Sequence, residues 1–178
     1  MFLFYYFLIV FVISLFILFL IYIFLIFGYL RTGVPFVSLT KENQNKILKL
    51  MNLKEGETLV DLGCGDATFL IEAEKKYRVR TIGYELSPTA FLISKINIFF
   101  KKSKTKVFLK DFFKAELSEA DVIFCYLFPP VMKKVSEKLK KELKPKARIF
   151  SLDFPLPDWP NEKTFYLNRN EKVYIYEK

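Results

Sequence analysis

The sequence predicts an α/β domain on a doubly wound, mostly parallel sheet closed by an antiparallel hairpin, with one apolar helix ahead of it. Three observations predict this. Residues 1–30 contain no Asp, Glu, Lys or Arg. From residue 58 onward, short apolar runs alternate with longer segments of helical periodicity, the pattern of a parallel sheet covered on both faces. Near the end, "KTFYLN" and "KVYIYEK" closely flank Arg169-Asn170, as the arms of a hairpin do.

The first segment, "MFLFYYFLIVFVISLFILFLIYIFLIFGYL", exceeds the roughly 20 apolar residues that cross a bilayer as a helix. Tyr5, Tyr6, Tyr22 and Tyr29 suit the headgroup level. A cleaved signal would need a basic start, a shorter apolar core and a small-residue cleavage site, and none is present. Residues 1–30 therefore read as a transmembrane anchor in the lipid bilayer, residues 31–40 as a connector and 41–178 as the folded domain. Arg31, Lys41, Lys46 and Lys49 follow the span. Positive charge stays on the cytoplasmic side, so the expected topology is a single pass with the C-terminal domain in the cytoplasm.

All 28 basic and 19 acidic residues, and so the net charge of +9, belong to the part after residue 30. Lys101, Lys102, Lys104, Lys106 and Lys110 either lean on an anionic leaflet or form solvated helix and loop faces. The second reading is favoured for most of them, because acidic residues are interspersed along the domain. Nucleic acid is the weaker partner. With no histidine in the chain, Ser-His-Asp and Cys-His chemistry and His-ligated metals are excluded. Cys64 and Cys125 form no CxxC, so no metal site or disulfide framework is expected, and each reads as a small buried residue.

The elements follow in order. "RTGVPFVSLT" (31–40) is extended, since Gly33 and Pro35 disfavour helix. A helix over 41–52 takes Thr40 as N-cap and turns Ile47, Leu48 and Met51 to one face. Strand 58–63, helix 66–76, strand 79–85 and helix 88–102 come next. Strands 105–110 and 121–127 follow, then a helix over 129–143 with Val131, Val135, Leu139 and Leu143 four apart, and a strand over 147–153. The hairpin closes the domain.

The chemistry gathers at "LVDLGCGDATFL" (59–70). In an open parallel sheet, ligands bind beyond the carboxyl ends of the strands. Gly63 and Gly65 fall at the end of the first strand, where missing side chains admit a ligand. A dinucleotide site would want a third glycine where Thr68 stands. It would also not place Asp61 and Asp66 beside a pyrophosphate, whereas a ligand with an ammonium group and ribose hydroxyls suits them. Glu85 ends the second strand, where a carboxylate can accept both ribose hydroxyls, although NAD carries a ribose too. Asp111, after the third strand, can accept from an adenine amino group or cap a helix.

"DLGCGD", "GYELSP", "KDFF" and "FCYLFPP" together resemble the class I, seven-strand S-adenosylmethionine (SAM)-dependent methyltransferases, over about Leu59–Lys178. The resemblance implies a Rossmann-like seven-stranded sheet and SAM as cofactor. It implies a cofactor site from Asp61, Gly63, Cys64, Gly65 and Asp66 at the glycine turn, Glu85 at the ribose and Asp111 at adenine, with Leu86 and Phe112 as further cofactor-binding residues. "GVPFV" (33–37) and "DFPLPDW" (153–159) extend it to a membrane-anchored group. These are the mitochondrial lysine methyltransferases of the adenine nucleotide translocase and the ATP synthase c subunit, with their prokaryotic relatives.

Ala67 departs from a third family glycine. Phe128 replaces the Asn or Asp that holds planar amino groups in adenine and glutamine methyltransferases, which disfavours those acceptors. "PLPDWPNE" replaces a helix, leaving the acceptor side open to a larger partner. Tyr126, Phe128 and Pro129 are the expected acceptor-positioning residues, with Trp159 either a further wall of an apolar lysine slot or, the favoured reading, a packing or interface residue. The readings that remain are an anchored lysine methyltransferase acting on a protein in or near the membrane, a methyltransferase of a lipid, quinone or other small acceptor, and a non-catalytic SAM-binding protein.

Overall fold

The structure, a computed structural model, describes residues 2–32, 38–160, 163–169 and 171–178. The "GVPFV" stretch of the connector, Asn170 of the hairpin and residues 161–162 lie outside the described residues, as do the side chains of Tyr29 and Arg31. The chain forms two compact units, residues 1–35 and 36–178.

The first unit is helix α1, Phe2–Thr32. Leu3–Ile23 within it is long and apolar enough to cross a membrane, and its large hydrophobic side chains are 46–70% exposed. Ser14 donates its hydroxyl to the Phe11 carbonyl at 2.7 Å, so this polar group is satisfied inside the helix.

The second unit runs α2 (Lys41–Met51), β1 (Thr58–Leu62), α3 (Thr68–Tyr77), β2 (Arg80–Glu85), α4 (Pro88–Phe100), β3 (Lys106–Leu109), a 3₁₀ turn (Phe112–Lys114), β4 (Val122–Cys125), α5 (Pro129–Glu142), β5 (Arg148–Leu152), β6 (Lys163–Tyr166) and β7 (Lys172–Glu177). One sheet takes the order β3-β2-β1-β4-β5-β7-β6. β1 to β5 are parallel, and β7 pairs antiparallel with both β5 and β6. The strand order reverses between β1 and β4, which is where such a sheet opens a crevice.

Alternation along the strands splits the core into two layers. Leu59, Val122, Phe124 and Phe150 pack with Ile47, Leu48 and Met51 of α2 and Phe69, Leu70 and Ile71 of α3 on one face. Val60, Leu62, Ile123 and Ile149 pack with Met132, Val135 and Leu139 of α5 on the other. The buried cysteines are free and one lies in each layer.

The elements match the expectation to within one to three residues at their ends, and each shift has a local cause. α2 starts after Thr40, whose side chain accepts from Asn43 N at 3.2 Å, and stops at Asn52, which turns left-handed at φ 45°. α3 begins at Thr68 rather than 66, because Ala67 sits at φ 60° and Asp66 caps from outside. β4 stops at Cys125, and Pro129-Pro130 open α5, where a missing N–H costs nothing. The 3₁₀ turn at 112–114 was not foreseen.

Candidate functional site

The site is built along the C-terminal edge of the parallel strands. In spatial order that edge presents Asp111 after β3, Glu85 at the end of β2, the 63–66 turn after β1, Tyr126–Pro129 after β4 and Asp153–Phe154 after β5.

The glycine turn folds as it does because Gly63 and Gly65 take φ of +107° and +53°, which side-chain-bearing residues rarely adopt. A Cβ on Gly63 would also stand 3.2 Å from Leu127 Cδ2. The turn hangs on β2, since Gly63 N and Cys64 N both donate to the Tyr84 carbonyl, at 2.9 and 3.1 Å. Glu85 locks it from the side: its Oε2 accepts Gly65 N at 2.8 Å and its Oε1 accepts Ser87 N at 2.7 Å. Each oxygen keeps a further lone pair for a ligand.

Asp61 is 4% exposed. Among the described residues, no donor or cation meets its carboxylate. Burial, and then the neighbouring charges of Glu85 and Asp66, push its carboxyl well above the usual carboxylate range. An uncompensated buried carboxylate is costly by itself, and a cationic ligand at this position would relieve it.

Three expected residues are partly committed elsewhere. Asp66 Oδ1 accepts both the N–H and the hydroxyl of Thr68, at 3.0 and 2.8 Å. Asp111 Oδ1 accepts Phe113 N at 2.9 Å, capping the 3₁₀ turn. The Cys64 side chain is buried 6% exposed beneath the turn, against the α carbon of Gly83. A Cβ on Gly83 would fall 2.7 Å from Cys64 Cβ and 2.9 Å from Leu70 Cδ1. Burial drives the Cys64 thiol strongly upward, so the sulfur stays a protonated, core-packed group. Leu86 is 38% exposed beside Glu85, and Phe112 packs on Phe113 with ring centroids 4.4 Å apart.

Beyond β4 and β5 the character changes. Tyr126 is half-buried near Asp153, and its phenol is raised by burial first and then by the charge of Asp153. Asp153 sits at φ 63° and is clasped by Lys172: Asp153 N donates to the Lys172 carbonyl at 2.8 Å, and Lys172 N donates to Asp153 Oδ1 at 3.1 Å. Burial and the nearby Glu171 hold the Asp153 carboxyl above its usual range. Asn43 Nδ2 donates to Glu171 Oε2 at 2.6 Å, tying α2 to the group. Phe128, 45% exposed, stacks on Phe154 at 6.5 Å, and Pro129 is exposed beside it.

Trp159 is elsewhere. Its indole donates to the Glu177 carbonyl at 3.3 Å and packs on Tyr176. Glu177 pairs with Arg148, the first residue of β5, so Trp159 lies at the opposite edge of the sheet and cannot wall this site. Sequence reasoning missed Asp153 as a site residue, together with Phe154, Glu171 and Asn43. The one available signal was Asp153 directly following a strand, the same signal that marked Asp111.

A family model for the ANTKMT methyltransferase domain matches residues 61–163. The chain belongs to this family. It is a class I SAM-dependent methyltransferase, and its sheet order and hairpin are those of the seven-strand fold. A protein-lysine N-methyltransferase of Saccharolobus islandicus (strain REY15A) is 28% identical over 151 residues, 80% of this methyltransferase and 92% of the relative. The adenine nucleotide translocase lysine N-methyltransferase of Mus musculus is 30% identical over 132 residues, 73% of this chain but only 57% of the mouse protein. An RNA methyltransferase of Salinibacter ruber, solved with S-adenosyl-L-homocysteine, superposes with a TM-score of 0.75 at 28% identity, covering 79% of this chain and 93% of its own.

Proposed function

We propose that this methyltransferase transfers the methyl group of SAM to the side-chain amine of a lysine on a membrane-associated protein, while held at the bilayer by residues 1–30 with its domain in the cytoplasm. The observation that carries the lysine reading is the second acidic group on the sheet edge. Asp153 and Glu171 lie near Tyr126, and Phe128 stacks on Phe154 along the same sheet edge, acidic and aromatic groups that suit an alkylammonium group.

The residues fit the cofactor. Asp61 offers an unpaired carboxylate to its ammonium group, Glu85 offers free lone pairs to ribose, and Leu86, Phe112 and Asp111 border the adenine position. When bound, SAM supplies an electrophilic methyl on its sulfonium. The chain's own task is alignment and exclusion of water. Asp153 and Glu171 draw the lysine ammonium in. The aromatic walls disfavour its charged form and so lower its pKa, and its proton passes to the Asp153 carboxylate or to water before the methyl is accepted. Tyr126, near Asp153, orients the neutral nitrogen.

The test is transfer of labelled methyl from SAM by the full chain incubated with membrane fractions, followed by acid hydrolysis. Label recovered as methyl-lysine, and lost in Asp153→Asn, is the expected result. Label in RNA would favour a nucleic-acid acceptor, the reading that the name of the Salinibacter relative brings. Label only in the organic extract would favour a lipid or quinone.

A further inference from the structure

Helix α4 is apolar on two faces, and the domain buries only one of them. Ala90 and Ser94 are buried, and Phe91 and Ile98 pack on the core. The opposite face carries Leu92, Ile93, Ile96, Phe99 and Phe100, which are 47–78% exposed. Their spacing of i, i+1, i+4, i+7 and i+8 makes a continuous stripe. A helix apolar all round is normally covered all round. α5 shows the ordinary alternative, burying Met132, Val135 and Leu139 and turning Lys133, Lys134, Glu137 and Lys141 outward.

The stripe has a charged rim of one sign. From Leu86 to Lys110 the chain contains no acidic residue and six lysines, Lys95, Lys101, Lys102, Lys104, Lys106 and Lys110. The edge strand β3, beside α4, adds Leu109 at 43% exposure. Aromatic residues at a helix end, a bare aliphatic stripe and lysines whose stems can lie along apolar surface are the composition of a helix that rests in a membrane interface. Elsewhere in the domain acidic and basic residues are mixed, so the lysine segment is a local exception and not a sample of the whole surface.

We propose that the outer face of α4, with its lysine rim, lies in the interface of an anionic bilayer. This is a second contact, separate from the span proposed for residues 1–30, and it would fix how the domain faces the membrane. The occupant is lipid because the rim calls for many anionic groups at no fixed positions, and a headgroup layer supplies them. Each lysine near such a surface favours contact about fivefold.

The test uses the full chain in vesicles with and without phosphatidylglycerol. Cys64 and Cys125 are buried, so a spin label attaches selectively to Phe99→Cys, or to Ile96→Cys as a second position, with Glu137→Cys on α5 as the reference. Relaxation by oxygen, which concentrates in lipid, is compared with relaxation by a water-soluble nickel chelate. Oxygen is expected to dominate at position 99 in phosphatidylglycerol vesicles, the chelate to dominate at 137, and position 99 to shift toward water when the anionic lipid is omitted. Chelate dominance at 99 and 96 in phosphatidylglycerol vesicles overturns the proposal. Shielding of both positions from both relaxers also overturns it, since protein, a second copy included, would then cover the stripe. Flotation after an alkaline wash reads the span independently. A chain that floats with an aqueous position 99 sinks this inference and spares the anchor.

Discussion

The two halves of the sheet edge are held by different means. On the β1–β2 side, the Glu85 carboxylate is fixed by the backbone N–H groups of Gly65 and Ser87, and Asp61 and Glu85 are only 4% and 9% exposed. On the β4–β5 side, the Asp153 carboxylate takes a single backbone N–H, from Lys172, Glu171 is held by the Asn43 side chain, and Phe128 stands 45% exposed. The first side is suited to an invariant ligand. The second can be altered with less damage to the fold, as a surface that must accept a particular partner requires.

If that contrast holds, Glu85→Ala gives the largest effect. It removes the ribose acceptor and strands two backbone donors, so SAM affinity should fall about a hundredfold or more by calorimetry. A loss under tenfold would break the cofactor half of the comparison. Asp153→Asn and Tyr126→Phe should slow methyl transfer roughly tenfold or more while leaving SAM affinity unchanged, and Phe128→Ala should behave likewise. If either affinity or turnover moved on both sides together, the two halves would be one unit.

Gly83→Ala should destabilise the chain by about 1–3 kcal/mol through overpacking against Cys64 and Leu70, measured by denaturant unfolding. Adding Cys64→Ala should recover part of that loss. Cys64→Ala alone should spare SAM binding, because its thiol faces the core.

Asp61 gives a smaller, pH-dependent effect. Its carboxyl is raised on folding by burial and then by Glu85 and Asp66. The contribution of such a group to stability is full below the ordinary carboxylate range and is lost as pH rises through the folded value. The unliganded chain should therefore lose stability as pH climbs away from acid, and Asp61→Asn should flatten that slope and stabilise the empty protein while weakening SAM binding. Thermal melts across pH, with and without SAM, test both parts. Asp111→Ala should be mildest, costing less than about tenfold in affinity, with loss of the 3₁₀ cap adding up to about 1 kcal/mol in stability.

The same contrast explains what could be read from the chain. The β1–β2 half is local: an apolar run, two glycines and an acid at the next strand end specify it within 27 residues, Leu59 to Glu85. The alternation of strands and helices and the closing hairpin were legible because hydrophobic period and turn residues agree at each step. The β4–β5 half joins residues as distant as Asn43 and Glu171, 128 positions apart, and no local pattern announces such a pair. Trp159 took the packing role and not the slot wall for a related reason. It stands six residues after Asp153, yet the chain between them crosses from one edge of the sheet to the other, so nearness in sequence was not nearness in space. The 3₁₀ turn at 112–114 is too short to have a period.

β7 sits between β5 and β6, although it is the last of the seven strands to be made. Until Lys172–Glu177 emerge from the ribosome, β5 has a bare edge and β6 has no neighbour. The apolar helix at the start of the chain is complete long before that. At the usual pace of about 5–20 residues per second, the delay is on the order of ten seconds. Helix and sheet are thus separated in time: α1 is complete while the enzyme behind it is still an unfinished sheet.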